Sequence, residues 1–543
     1  MSMVQEVGFT GANLKIERRF LPQGVGMASL NQKPSEQGDF RPWKVPLAVS
    51  PEPDIPSNRI TIYRMGRDVP DEADYWLSWT THVHLVRDIV TSDSTERTAF
   101  TGSGSPKWTD NTIGLATAPY PTATRELSVP PPLVAPTVTL DTDGPSGDPR
   151  QLYYVYTRVN DIGWESAPSP PTLADAAMPG AIFDLSYSES VPSGNYGVDK
   201  VRWYRQQTAA NSTVAEYFFI REYAIGASGQ EDDARELGEQ LATEDWLPLD
   251  TNASWLTKLW NQTLGALVGK SLRICVPDAI YAWKSDGEYK LHDEPLAMCS
   301  FASRIVVFTT GGAELFTGDP DLGNMNQKQL DLPVIVAPRS LVVSDTFCMW
   351  AAEDGLWYYG VDGARCLTTG YLKDTQWAAL VPTTMHGYLL TLGQRTLYIG
   401  FYNDGTLKGF VIDPTNPNGF YPLDTGYSTG FYDPLLRKLF VLDGDALKEW
   451  DEGASFMTAS YTGKVHRQVE HTEAEWLELL ASGSVTVKVL TEQAGSTDDA
   501  TALVERMNRA VTRGQHRIPN GTGGRDWQVQ ISTQGSVQAI SVD

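Results

Sequence analysis

Five patches of the sequence carry residue types and spacings that could do chemistry. Gly426-Tyr-Ser-Thr-Gly430 has the spacing of a nucleophile elbow around Ser428. That device needs a strand before the serine and a helix after it, so that a sharp turn exposes the hydroxyl. Phe431-Tyr-Asp-Pro434 and a further strand-like run follow instead, which predicts a hairpin turn. Gly102-Ser-Gly-Ser-Pro-Lys-Trp-Thr109 has the look of a phosphate loop. A working loop places Gly directly before the lysine and Ser or Thr directly after it. Pro106 and Trp108 flank Lys107 here, and Pro106 removes an amide that could hold phosphate. Asp141-Thr-Asp-Gly-Pro-Ser-Gly-Asp148 resembles half a calcium loop but lacks the later bidentate Glu, so an acidic turn is expected. His82 and His84 are two apart on an expected strand and so share a face; no third metal ligand accompanies them. Asp286, Asp354 and Asp404 each precede Gly, which is turn chemistry before it is a carboxylate pair for glycoside cleavage.

None of these patches predicts catalytic, cofactor-binding or metal residues. The expectation is a protein that is not an enzyme and holds no cofactor. Cys275, Cys299, Cys348 and Cys366 form no C-x-x-C pair, and two lie in apolar strand-like runs. Free buried thiols follow, consistent with synthesis in a reducing compartment.

The elements that would position such residues are short strands. The 34 Pro and 47 Gly are spread along the chain, and long helical periodicity is scarce. Four strand-like cores recur: Arg304–Phe308, Phe347–Trp350, Arg395–Ile399 and Lys438–Leu442. Marked by Val306, Met349, Tyr398 and Phe440, they step by about 43, 49 and 42 residues. A four-stranded propeller blade takes roughly 40–50 residues. Four blades are few for a closed ring, so N-terminal strands could add more and make the propeller discontinuous. A plain β-meander array has the same signals.

The predicted fold is mainly β. It comprises an N-terminal β segment over 1–130 contributing to the propeller or a platform, and an inserted fibronectin/Ig-like β-sandwich over 137–250. Blades follow over 251–460 and a C-terminal β-element over 461–543. The Pro-rich run Val129–Pro136 marks the boundary before the sandwich, whose expected strands include Leu152–Arg158, Lys200–Arg205 and Glu216–Ile220. Three places are candidates for helix: 252–270 around Trp255, Leu259, Trp260 and Leu264, a helix or an irregular stretch; the capping-box pattern Thr472–Glu475, a local helix or a strand; and Leu503–Asn508, a short helix.

The chain has 543 residues, ample for a sizeable core, with 41% hydrophobic and 20% charged residues. Acidic residues outnumber basic ones 67 to 43, for a net charge of −24. Such a surface repels phosphate backbones at long range, which argues against nucleic-acid binding yet suits sliding contact without sticking. Met1–Phe20 shows no apolar core of a secretory signal, and no run reaches about 18 apolar residues, so no membrane span is expected.

In order along the chain, several stretches resemble the tail-tube nozzle proteins of short-tailed bacteriophages, the podophage tail tubular protein B-like family. They are Leu21–Ala28 with Phe40-Arg-Pro42, Trp79–Val90 with Arg97–Lys107, and Tyr153–Pro171. Phe316–Pro320, Met325, Pro338–Val342, Ala352–Trp357, Gly514–Asn520 and Arg525–Val529 continue the series. The order persuades rather than any single match. The resemblance implies a virion tail protein, assembled in the host bacterial cytoplasm. It implies a homohexamer that extends the tail below a ring-shaped adaptor, the head-to-tail connector. Its lumen would conduct genomic DNA during ejection, without specific binding, and its outer surface would hold fibres or spikes. The alternative reading, motivated by 16 Trp and 23 Tyr, is a carbohydrate-binding or carbohydrate-cleaving propeller acting in host-receptor recognition.

Overall fold

The computed structural model describes residues 4–65, 75–87, 93–208, 215–322, 324–415, 419–492 and 503–543. Asp88–Val90, the end of one stretch of the family resemblance, lies outside them. Among the described residues the chain is built of strands, with one short α-helix at Asp374–Ala378 and 3-10 turns at Pro338–Ser340 and Pro382–Thr384. Two compact units form: Met1–Thr80 with Leu330–Asp543, and Thr81–Gln329.

In the first unit, three antiparallel sheets follow one another. Val342–Val343, Phe347–Ala352, Gly355–Gly360 and Gly363–Cys366 pair in chain order, as do His386–Leu392, Arg395–Asn403, Leu407–Ile412 and Tyr421–Leu423. Thr429–Asp433, Lys438–Asp443 and Ala446–Glu449 make three strands of the third sheet, and its fourth, Leu47–Ala48, comes from nearly 400 residues upstream. The cause of each meander is local. Apolar and aromatic runs such as Phe347–Trp350 are buried on both faces, and Asn and Asp side chains hold the turns. Asn403 Oδ1, for example, accepts the Gly405 amide at 3.0 Å. The hairpin Thr61–Arg64/Trp76–Trp79 packs Trp76 edge-on against Phe440 and Phe431.

Two further sheets form the C-terminal element. One orders Val4–Val7, Val537–Val542, Trp476–Ala481 and Gly514–Arg517. The other orders Ala28–Leu30, Ala459–Thr462, Gly523–Thr533, Val485–Thr491 and Val504–Val511, with His466–Glu473 also pairing to Gly523–Thr533. Inward residues of both, among them Val487, Val489, Leu477, Ile531 and Ile540, make one core.

The second unit holds three more blade-type sheets and the inserted sandwich. The first sheet runs His84–Val86, Thr98–Thr101, Lys107–Thr109, Arg125–Glu126. A five-stranded sheet uses Trp246–Leu247, Ser254–Lys258, Leu264–Val268, Ser271–Val276 and Ala279–Lys290. The third is Pro295–Phe301, Arg304–Thr309, Gly312–Asp319 and Asn324–Leu330. The sandwich packs Thr137–Thr142, Ile182–Ser186 and Glu231–Asp232 against Thr172–Leu173, Tyr153–Asn160, Val198–Thr208 and Ala215–Ala224. Phe183, Leu185, Tyr154, Tyr156 and Trp203 fill the space between its sheets.

All four sequence markers land on the second strand of their sheets, so the spacing read from the sequence is the blade repeat. N-terminal strands do add to it, as Leu47–Ala48 and the His84–Glu126 sheet show. The helix candidates at 252–270 and Leu503–Asn508 are corrected to strands, and at Thr472–Glu475 the strand alternative holds. Residues 254–258 and 264–268 are strands, joined through Asn261 and Gln262 at φ 55° and 56°. Thr472 and Glu473 end the strand His466–Glu473 and Trp476 opens the next. Leu503–Asn508 runs into the strand Val504–Val511.

Candidate functional site

The sequence-flagged residues do not converge. Ser428 precedes the strand Thr429–Asp433 rather than a helix, and its carbonyl accepts from Arg339 at 3.2 Å. The Gly430 amide donates to the Tyr388 hydroxyl at 2.8 Å, which fixes this turn as structure. Lys107 opens a strand, so no helix N-terminus faces Gly102–Ser105. Asp143 Oδ1 accepts the amides of Gly144 and Met178, each at 2.8 Å, and so closes a turn. Asp354 accepts from the Trp357 indole at 2.8 Å, and Asp404 from Lys408 at 2.9 Å.

His82 lies just before the strand His84–Val86 rather than on it, yet the two rings are neighbours. Their rings lie 4.4 Å apart, and His84 stacks on Trp255 at 3.7 Å. Burial, then the His82 ring, push the His84 pKa well below 6.5. No group of three His, Cys, Asp or Glu side chains is placed to hold a metal among the described residues. All four cysteines are free; Cys275, Cys299 and Cys348 are buried, and burial pushes the Cys275 thiol up to about 12.

The sandwich buries three charged side chains, Arg158, Glu165 and Asp232, and pairs each of them internally. Glu165 accepts from Thr157 Oγ1 and Tyr204 Oη, both at 2.6 Å, and from Arg202 at 2.8 Å. Asp232 accepts from Tyr154 Oη at 2.8 Å and Arg205 at 2.6 Å. Burial, reinforced by these carboxylates, raises the pKa of both tyrosines. Arg158, 2% exposed, reaches the Pro130 and Pro131 carbonyls and Glu189. It thereby ties the Pro-rich linker to the sandwich.

Two cavities open in the Thr81–Gln329 unit. One, of about 460 Å³, is lined by Ser105, Pro106, Glu126, Tyr196, Asp250 and Arg273, a mixture of charges. The other, of about 510 Å³, belongs to the sandwich. Arg150, Arg205 and Arg235 line it with Gln151, Gln206 and Phe183, and no carboxylate does. Neither the sandwich boundaries nor the turn residues of the sequence announced this grouping. The three arginines are far apart in the chain and meet only through sheet pairing.

No protein-family model matches the sequence, and no curated protein matches it. Similar solved structures include BamB from Moraxella catarrhalis, at 11% identity over 80% of this chain and 99% of that one, with a TM-score of 0.27. Apo AztD from Citrobacter koseri is 11% identical over 70% and 99%, with a TM-score of 0.25. Virginiamycin B lyase from Staphylococcus aureus is 8% identical over 68% and 99%, with a TM-score of 0.23. At such values their names carry nothing to this chain. The class is defined by its own sheets: a mainly β protein of propeller-type blades, with an inserted β-sandwich and a C-terminal β-element. Among the described residues no helix is long and apolar enough to cross a membrane.

Proposed function

We propose that this chain is the structural subunit of a phage tail nozzle. In that reading six copies close a ring that extends the tail tube, conducts the genome during ejection and supports fibres or spikes. The observation that carries the reading is the lacing of the first unit by its N-terminal residues. Val4–Val7 adds a strand to one C-terminal sheet, Ala28–Leu30 to the other, and Leu47–Ala48 completes the sheet of Thr429–Glu449. Each of these sheets takes an edge strand from the far end of the sequence, which ties the two ends of the chain together within the first unit and suits a wall that bears load. The net charge of −24 supports passage of DNA without adhesion. A heterologous interface that closes after a fixed number of copies is the requirement for such a ring.

The test is the mass of the purified chain, free and in tails, with DNA binding measured across salt. A closed oligomer with weak DNA affinity at physiological salt is expected. A strictly monomeric chain within intact tails would contradict the reading. The receptor-recognition alternative gains from the arginine-lined cavity; incubation with host surface polysaccharide would release oligosaccharide if the chain cleaved it.

A further inference from the structure

The sandwich cavity runs against the charge of the whole chain. The chain carries −24, yet this cavity of about 510 Å³ is lined by three arginines and no carboxylate. Arg205 is committed at two nitrogens, Nη1 donating to Asp232, which is itself fully buried and also held by Tyr154, and Nη2 to the Ala234 carbonyl at 3.5 Å. Arg150 and Arg235 have no acceptor for their guanidinium groups among the described residues. Their backbones are held nonetheless. Arg150 pairs with Ala177 through two amide–carbonyl hydrogen bonds of 2.8 and 3.0 Å. Arg235 follows the turn in which the Ala234 amide donates to Asp232 Oδ1 at 3.0 Å. Gly180 lies at φ 91°, and a Cβ there would come within 3.0 Å of Arg235 Nη1, so the glycine leaves that guanidinium its place against the Met178–Ala181 turn.

Two carboxylates on the neighbouring loops are engaged elsewhere, and neither Asp148 nor Glu236, beside the arginines in sequence, lines the cavity. Asp143 caps the Gly144 and Met178 amides, and Asp233 pairs with Arg221. The planar forks of two free guanidiniums match a carboxylate or phosphate in a way that lysines would not. The volume exceeds what one inorganic ion fills and lies in the range of small-molecule sites, roughly 300–1,000 Å³. Gln151 and Gln206 add amide donors and acceptors, and Phe183 and Leu152 an apolar wall.

We infer that this cavity is a binding site for an anionic polar molecule the size of an acidic sugar, its carboxylate or phosphate held by Arg150 and Arg235. The inference is independent of whether the chain forms a ring.

Titration calorimetry of the full chain with glucuronate, glucose 6-phosphate, neutral glucose and sulfate tests it. At least one of the two acidic sugars binds, its affinity falls as salt rises, and glucose does not bind. Whichever acidic sugar binds tells a carboxylate from a phosphate ligand. Arg235→Ala weakens that binding at least tenfold and Arg150→Ala/Arg235→Ala abolishes it, with the thermal unfolding profile unchanged because both side chains are exposed. Arg513→Ala, on the C-terminal element, leaves binding as it was. Equal affinity for the double variant and the parent overturns the inference. So does glucose binding as tightly as the acidic sugars, binding of none of the probes, or an effect of sulfate that neither acidic sugar reproduces, which is an adventitious ion only.

Discussion

The inserted sandwich and the blade sheets after residue 342 are both antiparallel β-structure, yet they fill their interiors with different chemistry. Between the sheets of the blades aromatic rings pack on one another, beside the buried carboxylates Asp433 and Asp413 that pair with Arg64 and Arg395. Phe410 is fully buried and touches the rings of Trp377, Tyr398, Tyr402 and Phe420. The sandwich keeps an aromatic core too, but surrounds it with ionic and hydroxyl contacts centred on Glu165, Asp232 and Arg158. An aromatic core loses stability when volume is removed, and an ionic one when a partner is removed. The two regions are therefore expected to fail under different insults.

The largest effect should come from volume. Phe410→Ala removes a ring with four aromatic neighbours and should cost about 4 kcal/mol. Calorimetry should show the blade transition falling while that of the sandwich stays. Asp232→Ala should act in the opposite region, at about 3 kcal/mol, because Arg205 and Tyr154 lose a buried acceptor. If Phe410→Ala lowered both transitions equally, the two interiors would not be separate.

Acid sharpens the comparison next. His386 is buried in its blade, its Nε2–H donating to the Tyr427 carbonyl at 2.7 Å. Burial, then the Arg339 charge, lower its pKa to about 4. Between pH 6.5 and about 4 the unfolded chain binds a proton there that the folded chain does not, so blade stability falls as pH drops through that window. His386→Phe should flatten the slope between pH 6.5 and 4. In the sandwich, burial alone would raise the Glu189 pKa, but the Leu133 and Val134 amides and Arg158 outweigh it and hold the pKa below 4.5. Glu222 is held down in the same sense, burial being outweighed by Arg202 and Lys200. Their contribution is present above about 4.5 and lost as pH falls through the lowered values. Denaturation followed across pH should show the blades weakening first. The smallest effect is at the surface: Arg221→Ala removes an exposed pair with Asp233 and should change stability by less than about 1 kcal/mol.

What the sequence made legible follows from the same physics. The runs Arg304–Phe308, Phe347–Trp350, Arg395–Ile399 and Lys438–Leu442 are dense in β-branched and aromatic residues and bounded by turns, so strand, spacing and blade repeat could all be read. Val504–Val511 could not, because its register shifts opposite Val489/Leu490. The extra residue, Arg506, falls within Leu503–Asn508 and breaks the two-residue alternation there. Trp255, Asn261 and Gln262 mislead for a related reason: their left-handed backbone (φ 51°, 55°, 56°) is set by tertiary packing, and no glycine announces it. The arginine cavity was illegible because Arg150, Arg205 and Arg235 belong to three separate segments that only the sandwich joins.

The proposed nozzle role requires a closed ring, and the mass of the particle in virion tails decides whether one forms. Native mass spectrometry of the protein released from virion tails should give six chain masses in one closed species. A species of a single chain mass, recovered from tails that remain intact, would contradict it.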